Sequence, residues 1–298
     1  MKTVIETIED AARQLEAAGV SFGHGTTNAF DEAAWLVLHA LKLPLNELDS
    51  VRNRPVASVE SAQIATFLGA RIESRKPAAY LTQEAWLQGV PFYVDERVIV
   101  PRSLISELLT DADGNGTLDY WLREDTKNVL DLCTGNGSLA IIAAMAFPET
   151  HIQGADISHD ALAVAAINVK KHALTDLIEL IHSDGLTQCT GIQGRPYDLI
   201  LCNPPYVNSA SMAVLPAEYL AEPTISLAGG ADGMDFIRLL LKTAPSVMSQ
   251  HAVLVLEIGN ERELFERAFP HLAAVWLETS AGHDQVLLLE RRSLLCDF

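Results

Sequence analysis

Val129-Leu130-Asp131-Leu132-Cys133-Thr134-Gly135-Asn136-Gly137-Ser138-Leu139-Ala140 reads as a strand that runs through a glycine turn into a helix. Glycines let the backbone turn sharply and approach a ligand with no Cβ in the way, and the helix start offers unpaired N–H groups. Outward from this stretch, strands and helices alternate: Asn128–Leu132, a helix to Phe147, His151–Asp156, a helix to His172, Ile178–His182, then Tyr197–Cys202. That rhythm predicts βαβ units, hence an α/β fold with a parallel sheet and helices on both faces. Later strands are expected at Ala252–Ile258, Ala274–Glu278 and Gln285–Leu289, the last two separated by a turn at Ser280-Ala281-Gly282.

The chemistry of the turn is read from its acids. Gly135-x-Gly137-x-x-Ala140 satisfies the loose dinucleotide pattern and by itself admits NAD, FAD or a nucleoside. Asp131, Asp156 and Asp184 close successive predicted strands, and three acids in register point to a nucleoside pocket. Asp156 is placed to accept from both ribose hydroxyls, in charge-assisted bonds of roughly 1.5–3 kcal/mol. Asp131 would repel a pyrophosphate but favour a sulfonium that carries an α-amino group, so the residues tilt toward S-adenosylmethionine. Ser183-Asp184-Gly185 then falls at the adenine edge, with Asp184 accepting from the exocyclic amine.

At the same sheet edge, Asn203-Pro204-Pro205-Tyr206 follows the apolar strand Tyr197–Cys202. Proline has no N–H, so this loop presents acceptors with few competing donors: the Asn203 side-chain oxygen and the Pro204 carbonyl. A planar NH₂ group has two donors to match them. Holding both would turn one face of that nitrogen toward a methyl donor and stabilise the charge it gains. Tyr206 is expected to stack on the flat group and exclude water.

Two units are expected from charge and periodicity. Residues 1–80 carry eight basic and ten acidic side chains, whereas residues 81–298 carry thirteen and twenty-nine. In the first unit, Ile8, Ala11, Ala12 and Leu15 fall at helical spacing, as do Ala34, Val37, Leu38 and Leu41; Ile64, Phe67 and Leu68 begin the same pattern. This predicts a small helical bundle over residues 1–76, with Asn28 capping the second helix and Pro44 stopping it. Aromatic residues around Gly89-Val90-Pro91 predict a β-hairpin linker over 77–100, and the α/β unit occupies 101–298.

Over the whole chain, 298 residues with 49% apolar side chains suffice for a sizeable core. A net charge of −18 disfavours nucleic acid and anionic lipid and suits a basic partner. Cys133, Cys189, Cys202 and Cys296 show neither disulfide nor zinc spacing, which fits a reducing cytoplasm. Acid interrupts the opening residues before any apolar run develops, and the longest such run, Leu139–Phe147, is too short to span a bilayer, so neither secretion nor membrane insertion is expected. Asp111-Ala112-Asp113-Gly114-Asn115-Gly116 imitates a calcium loop, but its twelfth position is Leu122, where a bidentate Glu is required; a polar connector is expected, and no metal site. Neither H-E-x-x-H, G-x-S-x-G nor a phosphate-binding loop ending in Gly-Lys-Ser/Thr occurs.

The pair Asp131–Gly137 and Asn203–Tyr206 resembles the methyltransferases of planar nitrogens, among them DNA adenine N6- and protein glutamine N5-methyltransferases. Arg75-Lys76-Pro77-Ala78-Ala79-Tyr80, Val100-Pro101-Arg102-Ser103-x-x-x-Glu107, and Glu222-Pro223 with Gly229-Gly230-Ala231-Asp232-Gly233 are similar to the HemK/Prm protein-glutamine methyltransferases, and the likeness covers nearly the whole chain. Release-factor enzymes of that family typically read Pro-Arg-Pro-Glu-Thr-Glu and Asp-Leu-Gly-Thr-Gly. The departures here, Pro101-Arg102-Ser103-Leu104-Ile105-Ser106-Glu107 and Asp131-Leu132-Cys133-Thr134-Gly135, resemble the branch that methylates a glutamine of the third large-subunit ribosomal protein.

The resemblance implies a class I Rossmann-like S-adenosylmethionine-dependent methyltransferase with an antiparallel final hairpin and an N-terminal substrate-recognition bundle. It implies that Cys133, Thr134, Gly135, Asn136, Gly137, Asp156 and Gly185 lie against the cofactor, and that Asn203, Pro204, Pro205 and Tyr206 hold the glutamine amide. The implied partner is a basic ribosomal protein, met before ribosome assembly, with no membrane and no nucleic-acid substrate. Competing readings are glutamine methylation of a release factor, adenine methylation of nucleic acid, which would want a basic groove, and a binding module that has lost turnover.

Overall fold

A computed structural model of the chain describes residues 1–110 and 117–297; the connector expected at 111–116 lies outside them. Among the described residues nine strands form two sheets: β1 Ala85–Leu87, β2 Val90–Phe92, β3 Asn128–Leu132, β4 His151–Asp156, β5 Ile178–His182, β6 Tyr197–Cys202, β7 Met248–Glu257, β8 Val275–Thr279 and β9 Gly282–Glu290. β1 and β2 pair as a hairpin, and the other seven run β5-β4-β3-β6-β7-β9-β8. From β5 to β7 every pairing is parallel, while β9 is antiparallel to both β7 and β8. The chain builds outward from β3 to β5, then returns to lay β6 on the other side of β3, and ligands bind at such a reversal, beyond the carboxyl ends of the strands.

Period-2 alternation sorts each strand between two cores. Val129, Leu199, Leu201, Val253 and Val255 pack under the helix Ser138–Ala146, whereas Leu130, Leu132, Ile200, Leu254 and Leu256 pack with Ile237, Leu240 and Leu241 of the helix Asp235–Thr243. Seven of the nine residues in Ser138–Ala146 are buried, so that helix is apolar nearly all round, as its place between the sheet and the neighbouring helices demands.

The first four parallel strands fall at the expected residues. β7 starts four residues early because Ser249, Gln250 and His251 extend it past the buried part of the sheet, where no apolar signal marks them. The last hairpin closes through Ser280 and Ala281, since Thr279 pairs with Gly282.

N-terminal to the sheet, the helices Val4–Ala17, Ala29–Ala40 and Ser58–Ser74 share a core through Ile8, Leu15, Val37, Ile64 and Leu68. Thr3 and Glu6 form a capping box on the first helix, and Asn28 caps the second through the Asp31 amide at 2.9 Å. That second helix ends at Ala40, ahead of Pro44, with Lys42 in the left-handed region.

Between residues 77 and 100 the hairpin is shorter than expected. Ala78–Thr82 is a buried helical turn, and the hairpin turns at Gln88 and Gly89, both at positive φ, which leaves Val90 and Pro91 in the strand. Trp35, Tyr80, Val98, Val100 and Val164 form a further core that joins the helices to the sheet layer.

Ile141 is fully buried above the sheet. Ile141→Ala is expected to lower the unfolding free energy by about 2–5 kcal/mol in urea titrations, whereas Val59→Ala, at a position 72% exposed, should change it by less than about 0.5 kcal/mol.

Candidate active site

β3 and β6 pair with Leu132 opposite Cys202, so the glycine turn and the Asn-Pro-Pro-Tyr loop leave the sheet side by side. Cys133, Gly135 and Gly137 all take positive φ, which coils the turn tightly enough to start the helix at Ser138. A Cβ on Gly137 would stand 3.2 Å from that of Ala165, so glycine there also admits the close approach of the next helix.

Asp156, at the end of β4, accepts from the Gly135 amide (2.9 Å) through one oxygen and from the Ser158 amide (2.9 Å) through the other. Burial raises its carboxyl above the usual range, and these backbone bonds work against the rise.

A cavity of about 240 Å³ opens at this edge. Cys133, Gly135, Asp156, Asp184, Gly185, Asn203 and Pro205 line it, with Ile157, Ile225 and Phe236 as apolar walls. A glycine turn, a carboxylate at the end of β4 and apolar walls near Gly185 fit a nucleoside with a charged tail.

Asp131, Thr134, Asn136 and Gly137 do not line the cavity. They lie beneath it: Thr134 Oγ1 (2.5 Å) and the Ala140 amide (3.0 Å) donate to one Asp131 oxygen, and Asn136 accepts from the Asn168 side chain through its carbonyl (2.9 Å). Asp131 is thus a brace under the turn, with its buried Oδ1 left without a partner and suited to one more donor.

A second cavity, about 330 Å³, lies against the other side of the tetrad and is lined by Arg102, Asn203, Pro204, Tyr206, Tyr219 and Glu257. Ile99, Asn203 and Ser226 border both cavities. The half-buried Asn203 side chain makes no hydrogen bond among the described residues, so its amide group is free to meet a ligand.

Tyr206 is seated by glycine. A Cβ on Gly259, itself at positive φ, would come within 2.7 Å of the Tyr206 ring. The Gly229–Gly233 loop borders the tetrad, with Val207 donating to Leu227 (2.8 Å) and Gly229 donating to Val207 (2.9 Å).

Behind this loop lies a buried ionic cluster that sequence reasoning did not foresee. Arg102 grips Glu222 bidentately at 2.6 and 2.7 Å, and its guanidinium stands 5.5 Å from the Tyr219 ring centre. Burial pushes the Glu222 carboxyl up, but His24 and Arg102 outweigh it and hold the group down at about 2. Arg71, fully buried, joins Glu32 (2.8 Å), Glu218 (3.2 Å) and the Ser21 carbonyl (2.8 Å), so the helices and the segment after the tetrad share one network. The pairing of Arg102 with Glu222 spans 120 positions, which no local pattern reveals. The walls Ile99, Ile157, Ile225 and Phe236 were missed because apolar residues carry no signature of their own.

Comparison with known proteins places the chain among methyltransferases. Residues 113–222 match the family model described as "Methyltransferase small domain". Over 296 residues the chain is 48% identical to a protein of Bordetella pertussis named ribosomal protein uL3 glutamine methyltransferase, covering 99% of this chain and 97% of that one. A Burkholderia pseudomallei protein of the same name is 48% identical over 300 residues, with coverages of 98% and 96%. Among solved structures, the hMettl16 catalytic domain in complex with MAT2A 3'UTR hairpin 6 shares the fold at a TM-score of 0.50 and 12% identity, covering 79% of this chain and 82% of that one.

Burial raises the Asp131 carboxyl to about 7. A carboxyl whose folded pKa is raised contributes stability that is complete below its unfolded value, near 4, and lost as pH rises through the folded one. Asp131→Asn keeps an acceptor for Thr134 and Ala140, so urea midpoints of this variant should fall less than those of the wild type between pH 4 and 7.

Proposed function

The chain belongs to the ribosomal protein uL3 glutamine methyltransferases, and from that footing we propose that the wall between its two cavities is where the methyl group passes. The reaction is S-adenosylmethionine-dependent N5-methylation of a glutamine side chain in uL3, the third protein of the large ribosomal subunit. One observation carries the reading: Asn203 borders both the cavity lined by the glycine turn, Asp156 and Asp184 and the cavity lined by Pro204, Tyr206 and Glu257.

When bound, S-adenosylmethionine supplies a methyl group on a positively charged sulfur. Cys133, Gly135, Asp156, Asp184 and Gly185 hold it in the first cavity, while Asp131, Thr134, Asn136 and Gly137 keep the turn in shape beneath it. The substrate amide enters the second cavity. Its nitrogen is a weak nucleophile because the lone pair is delocalised into the carbonyl.

Asn203 Oδ1 and the Pro204 carbonyl accept the two amide hydrogens, orient the nitrogen and stabilise the positive charge that builds on it. Pro205 stiffens the loop, and Tyr206 covers the amide plane. Burial pushes the Tyr206 hydroxyl up, so it stays neutral and serves as a wall rather than a base. We assign residues 1–76 to substrate recognition, supported by the Arg71 network that ties them to Glu218 beside the second cavity. A net charge of −18 suits a basic protein met before it joins the ribosome.

Asn203→Ala should lower kcat for tritiated methyl transfer into purified uL3 by about 10²–10³-fold while calorimetry shows cofactor affinity retained; unchanged turnover refutes the role. Asp156→Ala should weaken cofactor binding by about tenfold or more, and an unaltered Kd would remove the ribose assignment.

A further inference from the structure

Methylation of an amide nitrogen releases a proton, and neither Asn203 nor the prolines can take it. The second cavity holds a group that can. Glu257 ends β7 and lines the cavity together with Asn203, Pro204 and Tyr206. β6 and β7 are parallel with Cys202 opposite Leu256, so Asn203 and Glu257 stand as neighbours one position beyond that pair, at the carboxyl edge of the sheet.

The Glu257 side chain is almost wholly buried, and among the described residues no cation pairs with it. Arg102, the nearby guanidinium, is committed to Glu222 through both of its terminal nitrogens. Glu257 is held instead by neutral donors, Ser103 Oγ at 2.5 Å and the Leu104 amide at 2.9 Å, both on Oε2. Among the described residues Oε1 has no donor within hydrogen-bond distance, although the Ile105 amide also helps to hold the carboxyl down. The carboxyl satisfies donors at the start of the helix Ile105–Leu109, yet a neutral amide there would accept the same bonds, and a buried carboxyl with no cation is costly to keep beside the reactive loop.

We propose that Glu257 is the proton acceptor for the glutamine nitrogen. This rests on the assignment of the second cavity to the substrate amide. The nitrogen lone pair forms the new N–C bond as the S–C bond breaks, with that bond's electron pair remaining on sulfur. Once methylated, the nitrogen is no longer planar; one of its two hydrogens leaves its loop acceptor and passes to the Glu257 carboxylate as a proton, which neutralises the carboxylate, and the proton later passes to solvent. Charge balances: the sulfonium's positive charge and the carboxylate's negative charge both disappear, leaving a thioether, an N-methylamide and a carboxylic acid.

Ser103 and the Leu104 amide stabilise the charged carboxylate before transfer. Burial nonetheless raises the group to about 7, where a base is half-ionised near neutral pH. Of the charged and titratable groups around it, Arg102 is bound to Glu222, and burial pushes the Tyr206 hydroxyl up so that it stays neutral; the Tyr219 ring borders the same cavity.

The test is the pH dependence of kcat for tritiated methyl transfer into purified uL3, from pH 5.5 to 9, in wild type, Glu257→Gln and Ser103→Ala, with cofactor Kd measured in each. Wild type should gain activity through an inflection near neutrality. Glu257→Gln, which preserves an acceptor for Ser103 and Leu104, should lose about 10²-fold in kcat and the inflection with it, at unchanged cofactor Kd. Ser103→Ala removes a donor to the charged form, so its inflection should move to higher pH.

Glu257→Gln turnover that keeps the wild-type value and profile overturns the proposal. So does an unmoved inflection in Ser103→Ala, which decides the matter even where Glu257→Gln fails to fold. Wild-type enzyme that transfers no methyl group to uL3 at any pH would remove the functional reading itself, a result distinct from these.

Discussion

Parallel pairing of β3 with β6, in which Leu132 lies opposite Cys202, forces two loops of separate sequence origin to leave the sheet at one level. The first is the glycine turn and the second is Asn203–Tyr206. A register slip of one residue would move Leu199 and Leu201 into the core now filled by Ile200 and Cys202 and set the two loops out of level. Alternation of Leu199 and Leu201 toward one core with Ile200 and Cys202 toward the other prevents that slip. The chemistry therefore depends on hydrophobic patterning several residues away from any reacting atom.

Around this pairing the polar groups divide by position. Asp131 and Asn136 lie below the turn and hold it, while Asp156 and Asp184 stand in the cavity wall. Asp131 closes a strand and stands near a glycine turn, features that the sequence shares between a ligand contact and a brace; only the bonds from Thr134 and Ala140 tell them apart. Glu257 is the opposite case. It follows an apolar strand without a motif, and its place beside Asn203 arises from the β6–β7 register, which no linear spacing encodes.

What was legible had strong local causes. β3 to β6 fall at the expected residues; β4 ends on Asp156, and β6 lies between Pro196 and Asn203-Pro204. The helix Ala29–Ala40 begins at its capping Asn28. What was not legible had distant or weak causes: Ala78–Thr82 is too short for periodicity to show, Ser249–His251 join β7 without apolar character, and Arg102 meets Glu222 across the fold. Neighbouring cavities that share Asn203 could not be read at all, because the second is built from Arg102, Tyr219 and Glu257 on three separate segments.

Arg71 has no exposed surface and satisfies its guanidinium with Glu32, Glu218 and the Ser21 carbonyl. Removing any one side chain would strand a desolvated charge, at a cost of about 3–5 kcal/mol, whereas exchanging the whole set for apolar residues can be neutral. Positions 32, 71 and 218, far apart in the gene, therefore behave as one unit: a change at one is tolerated best when the other two change with it.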